Sequence, residues 1–363
     1  MVKKKMLVVV AMVIISMFSL MACSTPEATT SPEPEVVTEA ADVEAGVEAD
    51  VEEEATGSTS DSVEDKKVAM VLWGTMYDFF VYIGASANQT AADAGVQLDI
   101  LTTNDLAEGA DLATLAITQG YDAIIMMGYE AYRTSYEEAI AAGIPVVTFD
   151  SFLNDVDLFS RVGSDNYQLG VMAGEAAVDY LTEQGAEASG KVVVLNEPST
   201  GTMNARSQGF KDTVAAAFAD KEIEEITLTD AEATAEGSQG KVDNLLIANP
   251  SGTVDIIFGS NAGMSLGTIA SVEVAGRTEV AVFGIDNEEG QLNALKDGAV
   301  YRASIGQDTV KIGQEAMLAA IKAIQGERAG DIVVEGTLIT QDNVEEFLST
   351  QAETYAALES FKP

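Results

Sequence analysis

The 363-residue sequence predicts an α/β protein built from two similar lobes, each a doubly wound parallel sheet. Three observations carry this reading. From residue 67 onward, short apolar runs rich in β-branched residues alternate with stretches of helical length. Helical stretches in the first half stop at Gly95, Gly120 and Gly143, the residue type that most easily turns left-handed after a helix. The alternation breaks at residues 161–165, and a second series of the same kind begins at Lys191.

Taken in order, residues 68–72 read as the first strand and 79–94 as its helix. Strands at 96–101, 123–127 and 146–149 follow, with helices at 106–119 and 131–142 between them. A helix over 167–184 leads into the second series. Its strands are 192–195, 222–228, 256–258, 280–285 and 303–305, and its helices 203–219, 238–248, 264–275 and 288–296. A helix at 309–326, a strand at 332–334 and a terminal helix at 343–358 complete the chain. Repeated β-α units imply right-handed crossovers and parallel strands. In such sheets a ligand binds beyond the carboxyl ends of the strands. The strand at 146–149 delivers Asp150 and Ser151 to that place, and four later apolar runs end in Asn196, Asn261, Asp286 and Gln307.

The segment before the folded body has a different character. Lys3, Lys4 and Lys5 precede an apolar run over 6–17, followed by Leu20-Met21-Ala22-Cys23. This reads as a secretory signal, and the run is short for a membrane span. The ending resembles a bacterial lipobox, in which Cys23, the sole cysteine, is lipidated and becomes the mature N-terminus; the alternative is an ordinary signal with an incidental Cys. Residues 24–65 hold fourteen Asp or Glu, no Lys, no Arg and no aromatic residue. So much charge with so little apolar bulk cannot offset ordering entropy, which predicts a disordered acidic tether.

Charge and composition narrow the function classes. Three of the 19 basic residues lie in the signal and fourteen of the 59 acidic residues in the tether, which leaves the body near −29. Such a surface repels nucleic acid and anionic lipid but not a neutral small ligand. The sequence has no His and the body no Cys, so imidazole bases, thiol nucleophiles and zinc–thiolate sites drop out. No G-x-G-x-x-G or P-loop is present. The acids alternating from Asp230 to Glu236 hint at calcium, but the Gly that turns such a loop is missing, so neither metal nor cofactor is expected.

At this point the sequence resembles the type 1 periplasmic sugar-binding proteins, the ribose- and galactose-binding group of ABC importer receptors. The residues that carry the resemblance are Val68-Ala-Met-Val-Leu with Phe79-Phe80, Gly143-Ile-Pro-Val-Val-Thr-Phe-Asp150, Val162-Gly-Ser-Asp-Asn166, Ala205-Arg206 before Gly209-Phe210, Asn261 before Leu266-Gly267, Phe283-Gly-Ile-Asp286, and Gln307. The resemblance implies two lobes joined by a three-strand hinge, with one sugar between them. Residues 66–164 and 308–336 would form the N-terminal lobe, 165–307 and 337–363 the C-terminal lobe. The hinge would lie near 163–166, 307–308 and 336–337. The implied role is an extracytoplasmic receptor, monomeric and not an enzyme. It would deliver a monosaccharide to an ABC transporter permease and touch the membrane only through its N-terminal lipid.

The residue types suit that role. A sugar presents hydroxyls at its edge and C–H groups on its faces. Asp150 and Asp286 can accept from hydroxyls, and Arg206 offers a planar donor fork to two adjacent ones. Asn261 and Gln307 can donate and accept, and Ser151 adds a hydroxyl. Trp73, Tyr77, Phe79 and Phe80 cluster where the first strand meets its helix and can cover a sugar face, and Gly74 would leave room for a close ligand. Each residue also has a plainer reading. Either Asp could be a helix cap, Arg206 a solvated helix residue, and one of Phe79 and Phe80 simple packing.

The sequence departs from the ribose-receptor pattern in three places. Ser151 stands where an Arg is expected, Met127 where a polar amide is expected, and the 229–236 loop has no aromatic residue. A Met at that place would suit a ligand with an apolar patch, such as a deoxy sugar. Three other readings compete. A repressor on the same fold needs a basic DNA-binding module where this chain has its signal and tether. A sugar-processing enzyme could use Asp150 and Asp286 as an acid–base pair. A sensor feeding a chemoreceptor or histidine kinase would share the receptor's site.

Overall fold

The computed structural model describes residues 63–74, 76–153, 155–185 and 190–363. The predicted signal, Cys23 and the acidic tether up to residue 62 lie outside these residues. Val63, at the end of that tether, packs against the core of the first lobe, so the folded body begins slightly earlier than expected.

The first lobe runs β1 (Lys67–Trp73), α1 (Asp78–Ala94), β2 (Gln97–Thr103), α2 (Leu106–Gln119), β3 (Ala123–Met127), α3 (Arg133–Ala141), β4 (Val146–Phe149) and β5 (Ser160–Gly163). The second runs α4 (Asn166–Glu183), β6 (Lys191–Asn196), α5 (Gly201–Ala217), β7 (Ile223–Thr227), α6 (Ala235–Ala248), β8 (Val254–Gly259), α7 (Ala262–Val274), β9 (Ala281–Ile285), α8 (Glu289–Asp297) and β10 (Tyr301–Gln307). After these come α9 (Thr309–Ile324), β11 (Gly330–Val333), β12 (Gly336–Thr340) and α10 (Val344–Leu358). The strands form two six-stranded sheets of matching order, β11-β5-β4-β3-β1-β2 and β12-β10-β9-β8-β6-β7. Every pairing is parallel except that of β10 with β12. Sequence reading missed two of these strands. The break expected at 161–165 overlaps β5, which pairs with β4 and β11, while β12 at 336–340 forms the antiparallel edge.

Alternation along each central strand explains the layering. In β1, Val68, Met70 and Leu72 enter a core under α1 and α9, while Ala69 and Val71 enter another under α2 and α3. In β6, Val192 and Val194 face α4 and α5, and Val193 and Leu195 face the opposite core with α6 and α7. Burial on both faces is why these strands read as unbroken apolar runs. The buried stripe Leu169, Ala173, Ala177, Leu181 seats α4 on the second sheet at four-residue spacing.

The chain crosses between the sheets three times, after β5, after β10 and between β11 and β12. The third crossing is at residues 334–335, just before the place expected from sequence. The terminal helix departs from the expected assignment of 337–363 to the C-terminal lobe. Val344, Phe347 and Leu348 pack on the second core, but Leu358 and Tyr355 pack with Tyr82 and Ala85 of α1 in the first lobe. Helix α10 therefore spans both lobes.

Candidate cleft between the lobes

The two sheets aim the carboxyl ends of their strands at one cleft of about 1030 Å³, at the top of the usual range for ligand sites of roughly 300–1,000 Å³. Trp73, Tyr77, Phe79, Phe80, Asp150, Ser151, Arg206, Asn261, Asp286 and Gln307 all line it. Their local roles differ.

Asp150 and Asp286 occupy matching positions, each directly after the fourth strand of its sheet. The backbone N–H of Asp150 donates to Val162 O and that of Asp286 to Ile305 O, both at 2.9 Å, so each residue is fixed by the neighbouring strand. Both are left-handed, with φ of 61° for Asp150 and 80° for Asp286; Asp65 is the one other non-glycine residue with positive φ among the described residues. Residues other than glycine hold this conformation when the surroundings impose it, and such positions cluster at functional sites.

The second-lobe wall is a connected polar network. Asp286 Oδ1 accepts from Gln307 Nε2 at 2.7 Å, and Asp286 Oδ2 accepts from the Ala262 N–H at 2.9 Å. Arg206 is buried; its Nη1 lies 3.8 Å from Asp286 Oδ1 and donates to Ser260 O, and its Nε donates to Asn166 Oδ1 at 2.7 Å. This excludes the solvated-helix reading of Arg206. Asn261 is tied up in structure: its Oδ1 caps α7 through the Met264 N–H and its Nδ2 donates to Ala233 O.

The first-lobe wall is aromatic with isolated polar groups. Trp73 ends β1, half-buried, with its ring edge-on to Tyr129 at 6.3 Å. Phe79 and Phe80 stand edge-to-face at 4.9 Å, and both face the cleft and the first core. The hydroxyls of Ser151 and Ser164 are buried without a hydrogen-bond partner among the described residues. Two expectations fail here. Gly74 leaves no room for a ligand, because a Cβ there would lie 1.9 Å from Asn104 Oδ1. Met127 is fully buried in the first core, and it is Gly128 that lines the cleft, so the argument for an apolar ligand patch has no basis.

Sequence reasoning did not select Asn166, Ser164, Tyr129 or Glu288. The signal for Glu288 was its place two residues past Asp286, on the same strand-end loop. Glu288 lines the cleft and accepts from the backbone N–H groups of Asp78 and Phe79 at 3.3 and 3.2 Å. Burial raises its carboxyl to about 7; the Phe79 N–H opposes this, while Asp286 and Asp78 add to it. Burial likewise raises the Asp150 carboxyl to about 6, with Arg206 opposing and Asp286 adding. Tyr77 is raised by burial and by the charges of Glu288 and Asp286. Among the described residues no cluster of acids is arranged to hold a metal ion.

A two-lobed α/β body with a polar, aromatic-walled cleft at its strand ends defines a solute-binding protein. The chain belongs to the periplasmic binding protein family, whose domain model matches residues 68–328. It is 27% identical over 265 residues to the ribose import binding protein of Salmonella typhimurium, covering 72% of this chain and 86% of that one. It is 28% identical over 299 residues to the xylitol-binding protein of Mycolicibacterium smegmatis, covering 80% and 81%. A solute-binding protein of Bacillus halodurans, solved with bound myo-inositol, superposes with a TM-score of 0.70 at 22% identity, covering 79% of this chain and 98% of that one. The family is one of binding proteins, not enzymes, and its members work outside the cytoplasm.

The Asp150 carboxyl yields a prediction. Raised from 3.8 to about 6 in the fold, it adds stability below pH 4 that is lost as pH rises through 6, on the order of 2–3 kcal/mol. Asp150→Asn should therefore raise the melting temperature of the ligand-free protein by several degrees at pH 7.5 and by little at pH 4. An equal gain at both pH values, or none at pH 7.5, would contradict this assignment.

Proposed function

We propose that this protein is a lipid-anchored extracytoplasmic receptor that binds a monosaccharide or small polyol between its lobes and passes it to an ABC importer. The observation that carries the reading is the opposition of two walls. The Asp286–Gln307–Arg206 network is joined by a hydrogen bond and an ion pair on one side. Asp150, Ser151 and the rings of Trp73, Phe79 and Phe80 face it from the other. Hydroxyl edges need charged and amide partners, and C–H faces need aromatic ones, so together the walls suit a polyhydroxylated ligand. The lining also argues for neutrality. Glu130, Asp150, Asp165, Asp230, Asp286, Glu288 and Asp331 outnumber Arg206 and Arg161, and Arg161 is engaged with Asp331. A sugar acid or sugar phosphate would meet net repulsion there.

The ligands of the relatives define the first panel: ribose, xylitol and myo-inositol. A binder should raise the melting temperature by mass action. Arg206→Ala and Asp286→Ala should each then weaken its binding by about ten- to a hundredfold while the protein stays folded, because a charge-assisted hydrogen bond in a closed cleft contributes roughly 1.5–3 kcal/mol. Calorimetry showing unchanged affinity in both variants would remove the site. The anchor rests on the signal followed by Cys23. Cys23→Ser should move the protein from the membrane to the soluble extracytoplasmic fraction, and a variant retained as firmly as wild type would refute lipidation.

A further inference from the structure

The first helix lacks a cap of its own. Its N-cap residue is Tyr77, whose side chain makes no capping bond, whereas α2, α4, α7 and α9 are capped by their own Asp105, Asp165, Asn261 and Asp308. The first N–H groups of a helix have no partner within it and carry partial positive charge. In α1 they are met from the other lobe: Glu288 Oε2 accepts from Asp78 N–H and Glu288 Oε1 from Phe79 N–H. The turn held in this way carries Tyr77, Phe79 and Phe80, three of the residues that line the aromatic wall. Glu288 itself lies two residues past Asp286, in the polar wall.

We infer that Glu288 is a cross-cleft positioning residue, which caps α1 from the second lobe and so fixes the aromatic wall against the polar wall. The inference deepens the receptor reading and rests on it for its ligand. The groups facing the Glu288 carboxyl are Asp78 and Tyr77 from the first lobe, Asp286 from its own loop and Tyr355 from α10. None of these is cationic, and the N–H groups that meet the carboxylate are those of Asp78 and Phe79 and, in a capping box at the start of α8, that of Gln291.

The test has two arms on the ligand-free and ligand-bound protein. In the ligand-free arm, amide hydrogen exchange is followed at Asp78 and Phe79. Glu288→Ala should exchange these amides about tenfold faster than wild type, and Glu288→Gln, which keeps an acceptor oxygen, should restore most of the protection. In the second arm, calorimetry at pH 7 uses whichever of ribose, xylitol and myo-inositol binds. Glu288→Ala should weaken its binding about tenfold and Glu288→Gln much less. Equal exchange in all three proteins would overturn the cap, and equal affinity in all three would overturn the positioning role. If none of the three sugars binds, the receptor reading loses its support while the exchange arm still decides the cap.

Discussion

Asp150, Asp286 and Glu288 are carboxyls withdrawn from water at the mouth of a parallel sheet, and much of the site's arrangement answers that cost. A buried carboxylate is tolerated only when donors surround it. Asp286 has Gln307, the Ala262 N–H and nearby Arg206. Glu288 has the start of α1. Asp150 has less, with its carboxyl displaced upward by burial and Arg206 as its opposing charge. In the proposed receptor, a ligand that brings hydroxyl donors completes the set at Asp150.

The duplicated topology explains why the carboxyls meet. Each sheet places an Asp after its fourth strand, in the same left-handed conformation and tied by the same backbone bond to the next strand. Facing two such sheets across three crossings brings equivalent loops together. The two walls differ. One is a hydrogen-bonded polar lattice around Asp286, the other an aromatic surface whose Ser151 and Ser164 hydroxyls have no partner among the described residues. In the proposed receptor, donors on one side and rings on the other would orient a ligand by its edge and cover its face. Helix α10 adds a further link, with one end in the second core and the other stacked through Tyr355 on Tyr82.

Much of this was legible in the sequence because parallel strands buried on both faces leave continuous apolar runs, and the residues just past them stand out. Asp150, Asp286 and Gln307 stand at such strand ends, whereas Arg206 lies inside α5 and is legible only through the family resemblance. What escaped was whatever depends on the two lobes together. The edge strand at 336–340 is half exposed and carries no apolar run. Glu288 looks like an ordinary helix-start acid until α1 is seen opposite it. Met127 and Gly74 misled because strand-end position does not say which face a side chain takes; one turned into the core and the other lies against Asn104.

The central claim is that the two walls close on a sugar. Small-angle scattering of the protein with and without a saturating sugar, already shown to bind by calorimetry, tests it most directly. The account predicts a smaller radius of gyration and a shorter maximum dimension in the bound form, since ligand contacts to both walls favour the closed state. Superimposable profiles under saturation would contradict it.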